Sequence, residues 1–362
     1  MIRLSIARGT LVVLTALAAA CGYDATTPYR QPPAEAPPDA PPVGPTDASP
    51  DPAPLLDGLW TSSGSDPALL RLGATQLAGS GTVTAGTTVT TASASLVTLN
   101  SIAFDDAGTM WVASQNDSLV LGFASKRLDT TRLAIATRVI SSVDGSLAAP
   151  TGLAFDRQHR LWVANSESGT IVRYEPVQLA GGGALRPTVT LAGLGHPTTL
   201  AFDSDGALWC SDSRANRIAK FDASRLATSG APAPDVVIES VGNSLRTPAG
   251  IAFDADGRLW VANSGSRTVV GYDSSQLAAS GATSPFIVIS PSNVSVTVPT
   301  GLAFDQAGAL WVVSSDGLLA KYDRSVITAS GQPQASATLR VESRALFWSL
   351  AFWPKVQALP IN

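Results

Sequence analysis

Ala-Phe-Asp-Arg-Gln-His-Arg-Leu-Trp-Val-Ala-Asn, from Ala154 to Asn165, returns as Ala-Phe-Asp-Ala-Asp-Gly-Arg-Leu-Trp-Val-Ala-Asn from Ala252 to Asn263. Both read as a short apolar strand ending in Asp, a tight turn, and a second apolar strand opening on Leu-Trp. The same pair recurs as Leu59-Trp60, Met110-Trp111, Leu161-Trp162, Leu208-Trp209, Leu259-Trp260 and Leu310-Trp311, with the tryptophans 51, 51, 47, 51 and 51 residues apart. A nearly constant period of this length means one supersecondary unit used repeatedly, each copy burying its apolar face against the next.

The unit is a chain of strands. Gly108, Gly206, Gly257 and Gly308 hold the turn before each Leu-Trp strand, where tight hairpins need positive φ. His159 takes that place in one copy, a substitution the left-handed region tolerates. A third strand follows, as in Ile171 to Tyr174 or Val269 to Tyr272, then a connector seen as Asp222 to Gly230, Asp273 to Gly281 and Asp323 to Gly331. A fourth, such as Asp235 to Ile238 or Phe286 to Ile289, closes the unit. Four short strands without helical periodicity describe one blade of a β-propeller. Residues 58–99 supply strands two to four of a blade, and Trp348 to Phe352 supply a lone first strand. The expected fold is therefore an all-β, six-bladed propeller of four-stranded blades over residues 58–362, closed by the two chain ends sharing one blade.

Ahead of it, residues 1–20 read as an export signal: Arg3 and Arg8, an apolar run from Leu11 to Leu17, then Ala18-Ala19-Ala20. The run is too short to span a bilayer. With Cys21 next, the segment resembles a bacterial lipoprotein signal, whose cysteine carries lipid, although Ala18 stands where Leu is usual. Ordinary signal cleavage is the alternative. Residues 21–57 carry eleven prolines and almost no large apolar side chain, so this stretch reads as a tether. These features place the protein in the bacterial cell envelope, anchored to a membrane through Cys21. Cys210 is the only other cysteine, so an anchored chain has no internal disulfide to hold it. The formal net charge is −4, with no basic patch, which argues against a nucleic-acid partner.

Through its two "AFDxxGxLWVAN" runs, the chain resembles the NHL-type and streptogramin lyase-like six-bladed propellers over residues 58–362. Such families include enzymes, binding modules and scaffolds, so the resemblance is specific for fold and weak for activity.

Residues ending the second strands, Ser63, Ser114, Asn165, Asp212, Asn263 and Ser314, are expected to ring one face of the channel. Resemblance to lactonase-type propellers implies that Asn165, Asp212 and Asn263 hold a divalent cation, calcium or magnesium. The alternative is that these side chains start turns by bonding local backbone. His196, ahead of Pro197, is the candidate general base, and the streptogramin lyase-like resemblance implies a histidine acting with a metal. His159, the other histidine, belongs to the opposite face. Gln115, Asn116, Arg214 and Arg246 break the repeat on the His196 face and are the candidate ligand contacts. No nucleophile elbow, HExxH or phosphate-binding loop occurs. The first reading is an envelope module that binds a small ligand or protein. The second is a metal-dependent lyase or lactone hydrolase at the channel mouth, and a purely structural envelope role stands third.

Overall fold

The aspartate that follows the first strand in blades 1 to 5 is the hinge of the hairpin it opens. Asp254 Oδ1 accepts the backbone N–H of Asp256 at 2.9 Å and of Arg258 at 3.0 Å, while its Oδ2 accepts the indole N–H of Trp260 at 2.9 Å. The indole bond recurs at Asp105–Trp111, Asp156–Trp162, Asp203–Trp209 and Asp305–Trp311, at 2.7 to 3.0 Å. One carboxylate thus closes a turn and satisfies the polar atom of a buried tryptophan, which explains the six-residue spacing from Asp to Trp. His159 sits in its turn at φ 59°, as its place in the repeat implies.

A computed structural model describes residues 58–63, 68–91, 98–128, 131–290, 296–342 and 347–353. The signal, Cys21 and the tether lie outside them. The described residues form six blades. Blade 1 pairs Leu99–Phe104, Met110–Ser114, Leu119–Phe123 and Arg138–Ser142 in antiparallel order. Blades 2 to 5 repeat this from inner strands Pro150–Phe155, Pro197–Phe202, Pro248–Phe253 and Pro299–Phe304. Blade 6 joins the two ends of the chain: inner strand Phe347–Trp353 pairs with Gly58–Ser63, bringing Leu59 opposite Phe352 and Trp60 opposite Ala351. The expected closure is the one observed.

Each of the six second-strand tryptophans is buried in the sandwich between its own blade and the next. Trp260 packs edge-on to Phe304 of blade 5 with ring centroids 6.1 Å apart, and Trp209 meets Phe253 of blade 4 at 5.9 Å. The core is therefore a set of inter-blade layers.

Four strands per blade is not the whole of it. The connector after each third strand reaches back and lies parallel to the outer strand of the preceding blade. Gly81–Val83 adds to Ala337–Val341, Arg132–Ala134 to Thr87–Thr91, Gly183–Leu185 to Arg138–Ser142 and Gly281–Ala282 to Val236–Glu239. Gly230 and Gly331 make single bridges to Leu191 and Ile289. The residue before the glycine also takes part. Ser80, Ser229, Ser280 and Ser330 accept a backbone N–H of that outer strand, on Thr338, Thr190, Val237 and Val288, at 2.9 to 3.0 Å. These latches cover the outer edges that a four-stranded blade leaves open.

Candidate functional site at the channel mouth

The inner strands line the axis in levels. Their fourth residues, Ile102, Leu153, Leu200, Ile251, Leu302 and Leu350, form an aliphatic collar. One step toward the mouth, Gly152 and Gly301 let neighbouring inner strands touch: a Cβ on Gly152 would lie 2.5 Å from Thr198 O, and one on Gly301 2.9 Å from Trp348 O. The second residues, Asn100, Thr151, Thr198, Ala249, Thr300 and Trp348, are the level at which the blades diverge. Above the collar lies a cavity of about 340 Å³, to which the loops of the mouth add Gln115, His196, Ser213, Thr247 and Ser264.

His196 faces this cavity, its Nδ1 2.9 Å from Ser213 Oγ. The equivalent serines Ser166 and Ser264 bond the carbonyl of the residue before their inner strand at 3.0 Å, whereas Ser213 lies 3.4 Å from the His196 carbonyl. Ser213 thus keeps a longer form of the bond that the repeat prescribes and adds a contact with the imidazole. Gln115 also lines the cavity: its Oε1 accepts from Asn100 Nδ2 at 2.7 Å, so its own amide N–H groups remain for a ligand.

The other expected residues are elsewhere. Asn165, Asp212 and Asn263 do not line the cavity; all three are buried and turned into the crossovers between blades. Asn165 donates to Ser146 O at 2.9 Å and accepts the Ala148 N–H at 3.2 Å, and Asn263 donates to Ser244 O at 2.9 Å and accepts the Arg246 N–H at 3.3 Å. Asp212 accepts the Gly195 and His196 N–H groups at 2.9 Å each and pairs with Arg217 at 3.2 Å. Burial alone would raise its pKa, but the N–H donors on Gly195, His196 and Ala215, with the Arg217 charge, outweigh that and hold the carboxyl below its ordinary value.

This donor set does not fit a divalent cation. It offers a single carboxylate, its oxygens already accept local N–H groups, and they point away from one another's loops. Among the described residues no group of three or more His, Cys, Asp or Glu is arranged to hold a metal. Asn116 donates to Thr98 Oγ1 at 2.9 Å, and Arg214 and Arg246 are exposed; none of the three lines the cavity. Cys210, in the second strand of blade 3, is fully buried and its thiol is pushed up in pKa by that burial, so it is an inert packing residue. Asn100 and Trp348 are mouth residues that the repeat could have flagged, because each occupies an aligned position with a side chain its neighbours lack.

Residues 177–290, which span the connector and outer strand of blade 2 and all four strands of blades 3 and 4, match the family described as SMP-30/Gluconolactonase/LRE-like region. No curated protein matches the chain. Among solved structures, a protein of unknown function from Bacteroides caccae is 12% identical, with 81% of this chain and 97% of that one covered at a TM-score of 0.57. The structure of a nidogen/laminin complex aligns at 13% identity over 81% and 96%, with a TM-score of 0.55. Virginiamycin B lyase from Staphylococcus aureus aligns at 14% identity over 68% and 70%, with a TM-score of 0.47. Likeness at these identities is likeness of fold. The chain is a six-bladed β-propeller in which residues 177–290 match the SMP-30/Gluconolactonase/LRE-like region.

Proposed function

We propose that this propeller is an envelope ligand-binding module, exported and anchored through lipid on Cys21, with the Pro-rich stretch as its tether. The observation that carries the binding part is the cavity at the axis. Six near-identical blades converge there, yet its mouth is lined by Asn100, Gln115, His196 and Trp348, each a side chain that no other blade carries at the aligned position. A closed ring serving only as a scaffold has no need of a polar, blade-specific mouth above a uniform apolar collar. Pockets of a few hundred Å³ with a few convergent polar groups are the usual sites for small molecules.

A lyase or lactone hydrolase is the second reading, favoured by one observation, the His196–Ser213 contact facing the cavity. Thermal melts of the mature protein after chelation, then with calcium or magnesium added, separate the two. The binding-module reading expects no saturable shift. A shift that is lost in Asp212→Ala, together with turnover of a lactone, replaces it with the enzyme. The anchor is tested by growth on labelled palmitate, where label on the wild type that is absent from Cys21→Ala supports lipidation. Equal label, or none on either, removes it.

A further inference from the structure

The chemistry of the lining narrows what the mouth accepts. The chain is 14% charged, yet among the described residues no Asp, Glu, Lys or Arg lines the cavity. Arg214 and Arg246 are on the same face but outside it. An ion taken into the mouth would lose water and meet, among the described lining, His196 as the sole ionisable side chain and no fixed charge, a cost that a few neutral hydrogen bonds do not offset. Below the mouth the six Leu and Ile side chains of the collar are 4% to 7% exposed and offer only apolar surface.

Trp348 completes the picture. The six second-strand tryptophans are buried, whereas Trp348 is 38% exposed and borders the cavity, on a level where other blades carry Asn, Thr or Ala. An exposed indole beside an apolar well is a stacking surface for a flat ring. On the polar side, the amide N–H groups of Gln115 are available as donors, and the hydroxyl oxygens of Ser213 and Ser264 can accept.

We propose that the channel mouth selects uncharged ring compounds. The ring lies against Trp348 with its apolar body over the collar, and a neutral carbonyl or hydroxyl edge meets Gln115 and Ser213. This selectivity rests on the binding-module reading above and adds the ligand class to it.

A matched pair of probes tests it: N-phenyl-1-naphthylamine, which is neutral, and 8-anilino-1-naphthalenesulfonate, the same ring system bearing a sulfonate. The mature wild-type protein is titrated with each and followed by probe fluorescence. The neutral probe is expected to bind saturably at one site, and the sulfonate about tenfold more weakly or worse. Trp348→Ala, at a part-exposed position, should retain the wild-type melting temperature and bind the neutral probe several-fold more weakly. Sulfonate binding equal to or tighter than the neutral probe overturns the selectivity while leaving a ligand site at the mouth. Neutral binding unchanged in Trp348→Ala overturns the stacking assignment. If neither probe binds, both the ligand class and the small-molecule site are lost.

Discussion

Blades 3 and 4 use the same repeat but finish their second strands differently, blade 3 in Asp212 and blade 4 in Asn263. The crossover into blade 4, residues 240–247, presents one carbonyl and one N–H to Asn263. Blade 2, entered through residues 143–149, repeats that pairing with Asn165. The crossover into blade 3 spans only 192–196, and it presents two N–H groups, from Gly195 and His196. A carboxamide offers one acceptor and one donor group, whereas a carboxylate offers acceptors on both sides. Loop length therefore decides Asn against Asp, and the 47-residue step in the tryptophan spacing is the same fact seen in the sequence. The short crossover also sets His196 at the cavity, where blades 2 and 4 carry Ala149 and Thr247. A departure from the repeat thus marks a change of backbone first, with any chemistry following from it.

If the blades differ only in their crossovers, removing the shared shell should cost the same in each. Trp209→Ala and Trp260→Ala should both destabilise by about 3–5 kcal/mol, through the cavity left and the Asp203 or Asp254 oxygen that loses its indole partner. Denaturant midpoints of the two variants check this. A loss confined to one of them means that the blades are not equivalent in packing either.

A smaller, sharper effect comes from giving blade 3 the residue of blade 4. Asp212→Asn turns an amide NH₂ toward the Gly195 or His196 N–H and removes the ion pair with Arg217, so a loss of about 1–3 kcal/mol is expected at neutral pH. Its pH dependence identifies the cause. The folded carboxyl titrates below its ordinary 3.8, so its contribution is complete above that value and is lost as pH falls through the folded pKa. The gap between wild type and Asp212→Asn should hold down to about pH 4 and then narrow. A gap constant to lower pH would mean that the charge plays no part.

These particulars also show which features could be read in advance. The hairpins, the buried tryptophans and the closing blade were legible because apolar alternation, a turn residue and the Asp-to-Trp spacing recur together in nearly every copy. The latches were not, because a segment such as Gly281-Ala282 is too short and too small to show alternation; only the recurring connector hinted at them. At the mouth, His196 and Gln115 stand out in the sequence as departures from the repeat, and both border the cavity. Asn165, Asp212 and Asn263 were placed at the correct strand ends but aimed at the channel. Whether a strand-end side chain turns to the axis or into a crossover depends on the backbone groups the crossover presents, and spacing alone does not reveal those.

The smallest effect belongs to Arg214, in the loop after the second strand of blade 3, and Arg246, in the crossover into blade 4. Both side chains are exposed, and what Arg246 gives the fold comes from its backbone, its N–H to Asn263 and its carbonyl to the Gly265 N–H at 3.1 Å. Truncating both to Ala keeps that backbone, so stability should change by less than about 0.5 kcal/mol. Binding of the neutral naphthylamine probe should also be unmoved, because neither side chain lines the cavity. The sulfonate is the discriminating ligand. If its weak binding becomes weaker still in the double variant, the guanidinium groups reach the mouth in solution and charge selection begins at the rim. If it stays the same, exclusion of ions is the work of the uncharged lining, and the difference between blades 3 and 4 that matters to a ligand reduces to His196 against Thr247.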